Sequence, residues 1–252
     1  MRELRVGSCL LSLLVLAACS QGSGSGDNQG VPEARIAEIF SEFTVPGSPG
    51  AVAMVIRNGK VIHAEGYGMA EVGSGRALSR GTPMRLGSVG KQFTSMAVMI
   101  LADRGELAFD DPVTKWVPEL RRFPGIQVQH LLRHTSGLPD YYDLPEEDFV
   151  AVEASDGDPV LTNVDVVTHY ERWGEPLFDP GERFQYSNPG YEVLALIVER
   201  ISGQSFGRFL AENVFEPLGM ETAAVRERPE TDIPGRGVGY RPERQGEGWI
   251  EN

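Results

Sequence analysis

Residues 88–104 read SVGKQFTSMAVMILADR, and Gly105 follows. The segment predicts a buried helix closed by that glycine, which accepts the left-handed conformation common at helix ends. Val89, Phe93, Met96, Ala97 and Ile100 recur at helical spacing and predict its apolar stripe. Ser88 and Lys91 lie at its head, three positions apart, so a helix puts them on one face with the serine Oγ beside the lysine Nζ. A serine hydroxyl is a weak nucleophile until a neighbouring base takes its proton. A lysine can be that base where burial disfavours the ammonium form, and the positive end of a helix acts in the same direction. The same end offers backbone N–H groups without intrahelical partners, one of which can face an oxyanion. The chain has three lysines, and only Lys91 follows a serine by three. The competing reading is a solvated lysine on an amphipathic helix.

Tyr186-Ser187-Asn188 is the only Tyr-x-Asn in the chain. It sits where a loop enters a predicted helix over 189–202, with Asn188 as its cap, Pro189 in the first turn and Gly203 as its stop. A phenol near a lysine exists partly as phenolate and can relay protons. An asparagine amide can hold a substrate carbonyl or the lysine. The structural alternatives are a half-buried aromatic and a plain helix cap.

Upstream, Pro32 opens a predicted helix over 32–44 with Ile36, Ile39, Phe40 and Phe43 on one face. AVAMVIR (51–57) and KVIHAEGYG (60–68) flank Asn58-Gly59, the strongest short signal of a β-hairpin. Residues 69–87 read as loop, 128–134 as a short helix, 139–180 as acidic and turn-rich, and 206–216 as a helix stopped by Pro217. From 226 onward Pro, Gly and Arg dominate. Two strands thus precede a long helical stretch. A lone hairpin is marginal in water and needs further strands, yet no other segment reads clearly as one.

The whole chain has 252 residues, 41% hydrophobic and 23% charged, which suits one large globular domain or two small ones. With 23 basic and 36 acidic residues its net charge is −13, and no basic run exceeds two residues. Nucleic-acid binding needs clustered cations, so that class is excluded. The two cysteines, Cys9 and Cys19, are both near the start, leaving no disulfide framework or cysteine zinc site in the body. The four histidines form no HExxH pattern, and His130 and His134 read as capping or packing residues rather than metal ligands. Neither a metal nor a cofactor is expected.

Residues 1–18 read as a signal peptide: Arg2 and Arg5 precede a short apolar run. Leu16-Ala17-Ala18-Cys19 resembles a bacterial lipoprotein box, which makes Cys19 the expected lipidation site and first mature residue. Residues 19–31 are then a Gly/Ser-rich tether. The expected location is the bacterial cell envelope, membrane-anchored through Cys19 and facing the periplasm or the exterior. Residues 32–252 follow as the folded domain, with 32–87 a helix plus sheet hairpin and 88–252 mainly helical.

Ser-x-x-Lys at 88–91 followed by Tyr-x-Asn at 186–188 resembles the penicillin-recognising serine hydrolases, in particular their class C β-lactamase, D,D-peptidase and esterase branch. PGAVAMVIRNGKVIHAEGYG (49–68), LLRHTSGLPDYYD (131–143) and FQYSNPGYEVLALIVERISG…FEPLGM (184–220) extend the likeness over most of 33–222. The resemblance implies an α+β, β-lactamase/transpeptidase-like fold in which an antiparallel sheet domain packs beside an all-helical domain, with the site between them. It implies that Ser88 is acylated, Lys91 is its base or proton partner, Tyr186 deprotonates Ser88 or the hydrolytic water, and Asn188 orients substrate. Which of Lys91 and Tyr186 is the base stays open. The implied partner is a small molecule or peptide with a carbonyl centre: a β-lactam, a D-Ala peptide or an ester, as for a carboxypeptidase or esterase. The alternatives are a non-catalytic binding lipoprotein on the same fold and an inactive fragment. His134 and Asp140 carry no base role over: His134 reads as a structural residue at a helix C-terminus, suited to a cationic form there, and Asp140 as a turn residue. No Gly-x-Ser-x-Gly elbow supports a Ser-His-Asp triad.

The chain departs from this family in one respect. The third motif, Lys-Thr-Gly or His-x-Gly on a sheet strand, is missing, and residues 223–252 contain neither Lys nor His. The expectation is a chain truncated at its C-terminus, with an incomplete sheet and little activity alone, since losing one oxyanion donor costs ~10²–10³ in turnover.

Overall fold

A computed structural model describes residues 32–140, 152–153, 159–160, 162–172, 174–227, 231–242 and 249–251. The expected signal peptide, Cys19 and the tether lie outside the described residues. The chain opens with α1 (Glu33–Ile39) and a 3-10 turn (Ser41–Thr44), so the helix expected over 32–44 is broken at Phe40. Phe40 stacks on Tyr67, ring centroids 4.9 Å apart, which docks this segment on the hairpin. Ile39, expected on the same face, is exposed.

Strands β1 (Ala51–Arg57) and β2 (Lys60–Tyr67) pair antiparallel, Ala51 opposite Tyr67, with a bulge between Val55 and Ile56. Asn58 and Gly59 have φ of 51° and 72°, the two positive angles that a type I′ hairpin turn demands. The stretch read as loop contains a second small pair, β3 (Met69–Glu71) with β4 (Arg76–Ala77). Gly50 N–H donates to Met69 O, and Val238 N–H to Ala70 O, so the chain on either side lines up against β3. Two further pairs are short: β5 (Val152–Glu153) with β6 (Pro159–Val160), and β7 (Tyr240–Pro242) with β8 (Trp249–Glu251). Each of the four pairs is a separate two-stranded sheet. Strands other than the hairpin escaped a pattern reading because two or three residues cannot show a period of two.

The helical body contains α2 (Lys91–Asp103), α3 (Val128–Leu132), α4 (Asn163–Arg172), α5 (Pro189–Ser202) and α6 (Phe206–Leu210), the last continued by a π turn over Ala211–Phe215. Helix α5 is its axis. It packs against α2, α3, α4 and α6 and buries every residue from Val193 to Val198. Its bounds and its left-handed Gly203 (φ 68°) are as expected. Helix α2 differs in its buried face. Thr94, Ala97, Val98 and Leu101 are buried, whereas Val89 and Met96 are 59% and 43% exposed. The segment is apolar on several sides, so periodicity alone does not choose a stripe; contact with α5 chooses it. Helix α4 was hidden in the stretch read as turns. Its start is a reciprocal cap: Asp165 Oδ2 accepts from Thr162 N–H (2.9 Å), and Asp165 N–H donates to Thr162 Oγ1 (3.2 Å). Val166, Val167 and Tyr170 then reach the core. Among the described residues no helix is long and apolar enough to cross a membrane.

Candidate active site

The site forms where the head of α2 meets the head of α5. Residues Gly87–Gly90 form a 3-10 turn, not the first turn of an α-helix, and α2 begins only at Lys91. Gly87 at φ 53° turns the chain into it. Ser88 is therefore presented on an exposed knuckle, while Lys91 is half-buried. Lys91 Nζ lies 3.4 Å from Ser88 Oγ and donates to Asn188 Oδ1 at 2.9 Å. Tyr186 OH donates to Ser88 Oγ at 2.8 Å. The four side chains singled out in the sequence thus meet at one point, although 97 and 98 positions separate the partners along the chain.

The ammonium is also flanked by rings. Lys91 Nζ lies 4.9 Å from the Tyr186 ring centroid and 5.5 Å from that of Tyr191. Burial pushes the Tyr186 phenol up, but hydrogen bonds with Lys91 and Ser88 and the charge of Lys91 more than offset it, so the phenol ionises below its ordinary value of 10.0. The charge of Asp140 works the other way.

Three expectations change here. Asn188 does not cap α5 through its side chain; it already has helical angles (φ −67°, ψ −47°). The cap is Ser187, buried, whose Oγ accepts from Gly190 N–H (3.4 Å). That leaves the Asn188 amide free of capping, and both its ends are used: Oδ1 accepts from Lys91, and Nδ2 donates to Asp140 Oδ2 at 3.1 Å. Asp140 is therefore more than a turn residue, since the same oxygen also accepts from Asn188 N–H at 2.9 Å. His134 is not suited to a cation. Burial, and then the Lys91 charge, hold its imidazole below the ordinary 6.5, and its Nδ1 accepts from Ser187 N–H at 3.2 Å. It has left-handed angles (φ 55°) and stacks on Tyr186, centroids 4.4 Å apart. His130 caps: its Nδ1 accepts from Gln127 N–H at the start of α3. Among the described residues no group of three His, Cys, Asp or Glu side chains gathers as a metal site.

A sequence model of the protein family described as Beta-lactamase matches residues 36–249. The chain belongs to the beta-lactamase family. It is 34% identical over 180 residues to Penicillin-binding protein 4* of Bacillus subtilis (strain 168), covering 68% of this chain and 38% of that protein. It is 38% identical over 191 residues to Esterase EstB of Burkholderia gladioli, covering 72% of this chain and 48% of that protein. Among solved structures, the octameric penicillin-binding protein homologue from Pyrococcus abyssi superposes with a TM-score of 0.69 at 33% identity, over 87% of this chain and 49% of that one. The chain spans less than half the length of each of these three proteins. The α+β fold expected from the motifs, β-lactamase/transpeptidase-like, is the fold of this chain.

Within this beta-lactamase family chain, Asp140, read as a turn residue, and His134, read as a structural residue suited to a cation, both stand in one motif, LLRHTSGLPDYYD. Proximity to Asn188 and Ser187 across 48 and 53 positions was the missing information. Gly137 shows why the motif has its shape. It has φ 76°, and a Cβ there would meet Phe178 O at 2.2 Å, so a glycine lets the loop lie against the 178 segment.

Proposed function

We propose that the protein is a serine hydrolase that forms an acyl-enzyme on Ser88 and acts on amide, ester or β-lactam carbonyls. The observation that carries this reading is the 2.8 Å contact between Ser88 Oγ and Tyr186 OH beside the Lys91 ammonium. As phenolate, Tyr186 accepts the Ser88 proton through that same contact. The freed Oγ attacks the substrate carbonyl carbon, and the resulting oxyanion faces the amide of Ser88 at the 3-10 turn, where N–H groups lack helical partners. When the tetrahedral intermediate collapses, the carbon–leaving-group bond breaks and the Tyr186 phenol returns the proton to the leaving amine or alcohol. A water, deprotonated in turn by Tyr186, then attacks the acyl carbon; as the ester bond to Oγ breaks, the Tyr186 phenol returns that proton to Ser88, restoring the hydroxyl and the phenolate. In this scheme Tyr186 is the base, being nearer the nucleophile than Lys91 and held below the ordinary phenol range. Lys91 supplies the charge that stabilises the phenolate. Asn188 holds Lys91 through Oδ1, and the second proton of its Nδ2 is available to orient a substrate carbonyl. The relatives named as a penicillin-binding protein and an esterase support this class of substrate.

The test is covalent labelling. A fluorophosphonate or fluorescent penicillin applied to the full-length protein should mark Ser88, and Ser88→Ala should abolish the label. Equal labelling of both proteins would remove the assignment. We further propose that Cys19 carries a lipid anchor holding the domain at the cell envelope, on the strength of Leu16-Ala17-Ala18-Cys19 and the tether after it. Cys19→Ala should move the protein from the membrane to the soluble fraction; a wild-type protein already soluble would refute the anchor.

A further inference from the structure

We propose that Asp140 is a positioning residue that locks the Asn188 amide in the one orientation able to hold Lys91 beside Ser88 and Tyr186. The proposal deepens the serine-hydrolase reading above and rests on it. An asparagine amide has two nearly isosteric ends, one accepting and one donating. Only the orientation with Oδ1 toward Lys91 lets Asn188 accept from that ammonium, at a shorter distance than Ser88 Oγ does; the flipped amide sets N–H groups against N–H groups. Asp140 decides between them. Its Oδ2 accepts both from Asn188 N–H at 2.9 Å and from Asn188 Nδ2 at 3.1 Å, closing a ring that includes the residue's own backbone. Oδ1 is thereby left for Lys91, at 2.9 Å.

Asp140 can act this way because its own position is set from outside the site. Tyr170 OH donates to Pro139 O, Leu177 N–H donates to Gly137 O at 2.9 Å, and Leu138 N–H donates to Ser136 Oγ at 3.3 Å. Tyr170, Leu138 and Ser136 are all buried. The carboxylate therefore reaches Asn188 from a backbone tied to α4 and to the 178 segment. Its charge also bears on the phenol. Among the described residues, the titratable groups that face Tyr186 are Lys91 from α2, His134 from the loop after α3, and Asp140. Burial raises the phenol most and Lys91 lowers it, while Asp140 raises it.

Two substitutions separate geometry from charge. In Asp140→Asn the new amide oxygen can take the place of Oδ2 and keep both bonds, but the negative charge is gone. In Asp140→Ala both are lost. Asp140→Ala should slow fluorophosphonate labelling of Ser88 about tenfold or more, the scale expected when a reacting group is misplaced. Asp140→Asn should restore most of that rate. Because the proton acceptor must be ionised, labelling rises with pH through the phenol, and removing a charge that raises its pKa should move this limb to lower pH in Asp140→Asn. Wild-type rate and an unmoved limb in Asp140→Ala would overturn the proposal. So would equal loss of rate in both variants accompanied by equal loss of thermal stability, which is the mark of a purely structural residue. A second readout needs no activity: spectroscopic titration of Tyr186, isolated by subtracting the Tyr186→Phe spectrum. Its midpoint should be higher in Asp140→Ala, where Lys91 loses its place beside the phenol, than in Asp140→Asn, which lacks the same charge but keeps the amide in place; equal midpoints in the two variants would again overturn the proposal. If Ser88→Ala labels like the wild type, the hydrolase reading fails while the tyrosine titration still decides the role of Asp140.

Discussion

At the scale of single residues, the proposed mechanism gives the tasks of nucleophile and base to different side chains. Ser88 is exposed on a 3-10 knuckle, and its hydroxyl is met by a phenol rather than by an imidazole. A phenol is an inadequate base at neutral pH because its ordinary pKa is far too high. Here, against the effect of burial, hydrogen bonds with Lys91 and Ser88 and the charge of Lys91 lower it, and His134, whose own pKa burial lowers, packs on the ring. Tyr186→Phe keeps the stacked ring and removes the oxygen. It should lower turnover by about 10²–10⁴, the usual worth of general acid–base catalysis, and should abolish the rise of rate with pH assigned to the phenol. Steady-state kinetics across pH checks both; a Tyr186→Phe enzyme with the wild-type profile would mean that Lys91 is the base. Ser88, Lys91, Tyr186 and Asn188 were legible in the sequence because spacing and uniqueness marked them. Asp140 was not. A carboxylate in a turn-rich loop has an adequate local explanation, and nothing in the chain announces which amide it will meet.

At the scale of elements, α5 organises the molecule. It offers Asn188 to the site at its head and ties the far side of the body at its tail. Arg200, near its C-terminus, donates from Nη1 and Nη2 to both carboxylate oxygens of Glu119, at 2.8 and 2.6 Å, and from Nη1 to Trp116 O at 2.7 Å. The pair is 29% and 22% exposed, so solvent screens it only in part. The bond from Arg200 holds the Glu119 carboxyl below its ordinary 4.5. A carboxylate with a lowered folded-state pKa stabilises the fold above that ordinary value and loses the effect as pH falls through the folded one. Arg200→Ala should therefore cost about 1–2 kcal/mol at neutral pH, a penalty that shrinks once Glu119 is protonated. Arg200→Lys should recover little, because one ammonium cannot reproduce the two-pronged contact. Denaturant unfolding at neutral and acid pH measures both. Helix α5 was legible from end to end, since Pro189 and Gly203 are unambiguous punctuation. Helix α2 was legible in extent, but neither its 3-10 entry nor its buried face followed from the pattern. Helix α4 carried a capping signal at Thr162 and Asp165 that was passed over among acidic residues.

At the scale of the whole molecule, small antiparallel pairs lie beside a helical body whose core gathers on α5. By itself the sequence determined the hairpin, the principal helices, the four residues of the site and membership of a fold family. The hairpin and helices rest on local steric preferences and the four residues on the spacing of distinctive side chains, while the fold family rests on the resemblance of whole motifs; all are properties of the chain as written. Only the tertiary structure decided which face of α2 is buried, that Ser187 and not Asn188 caps α5, and that Asp140 and His134 hold the Tyr-Ser-Asn segment from behind. The first depends on packing against α5, the second on the Asn188 amide being taken by Lys91 and Asp140, and the third on hydrogen bonds across 48 and 53 positions. An amide or a carboxylate has the same local preferences whichever distant partner it finds, so its role becomes visible only when packing has chosen that partner.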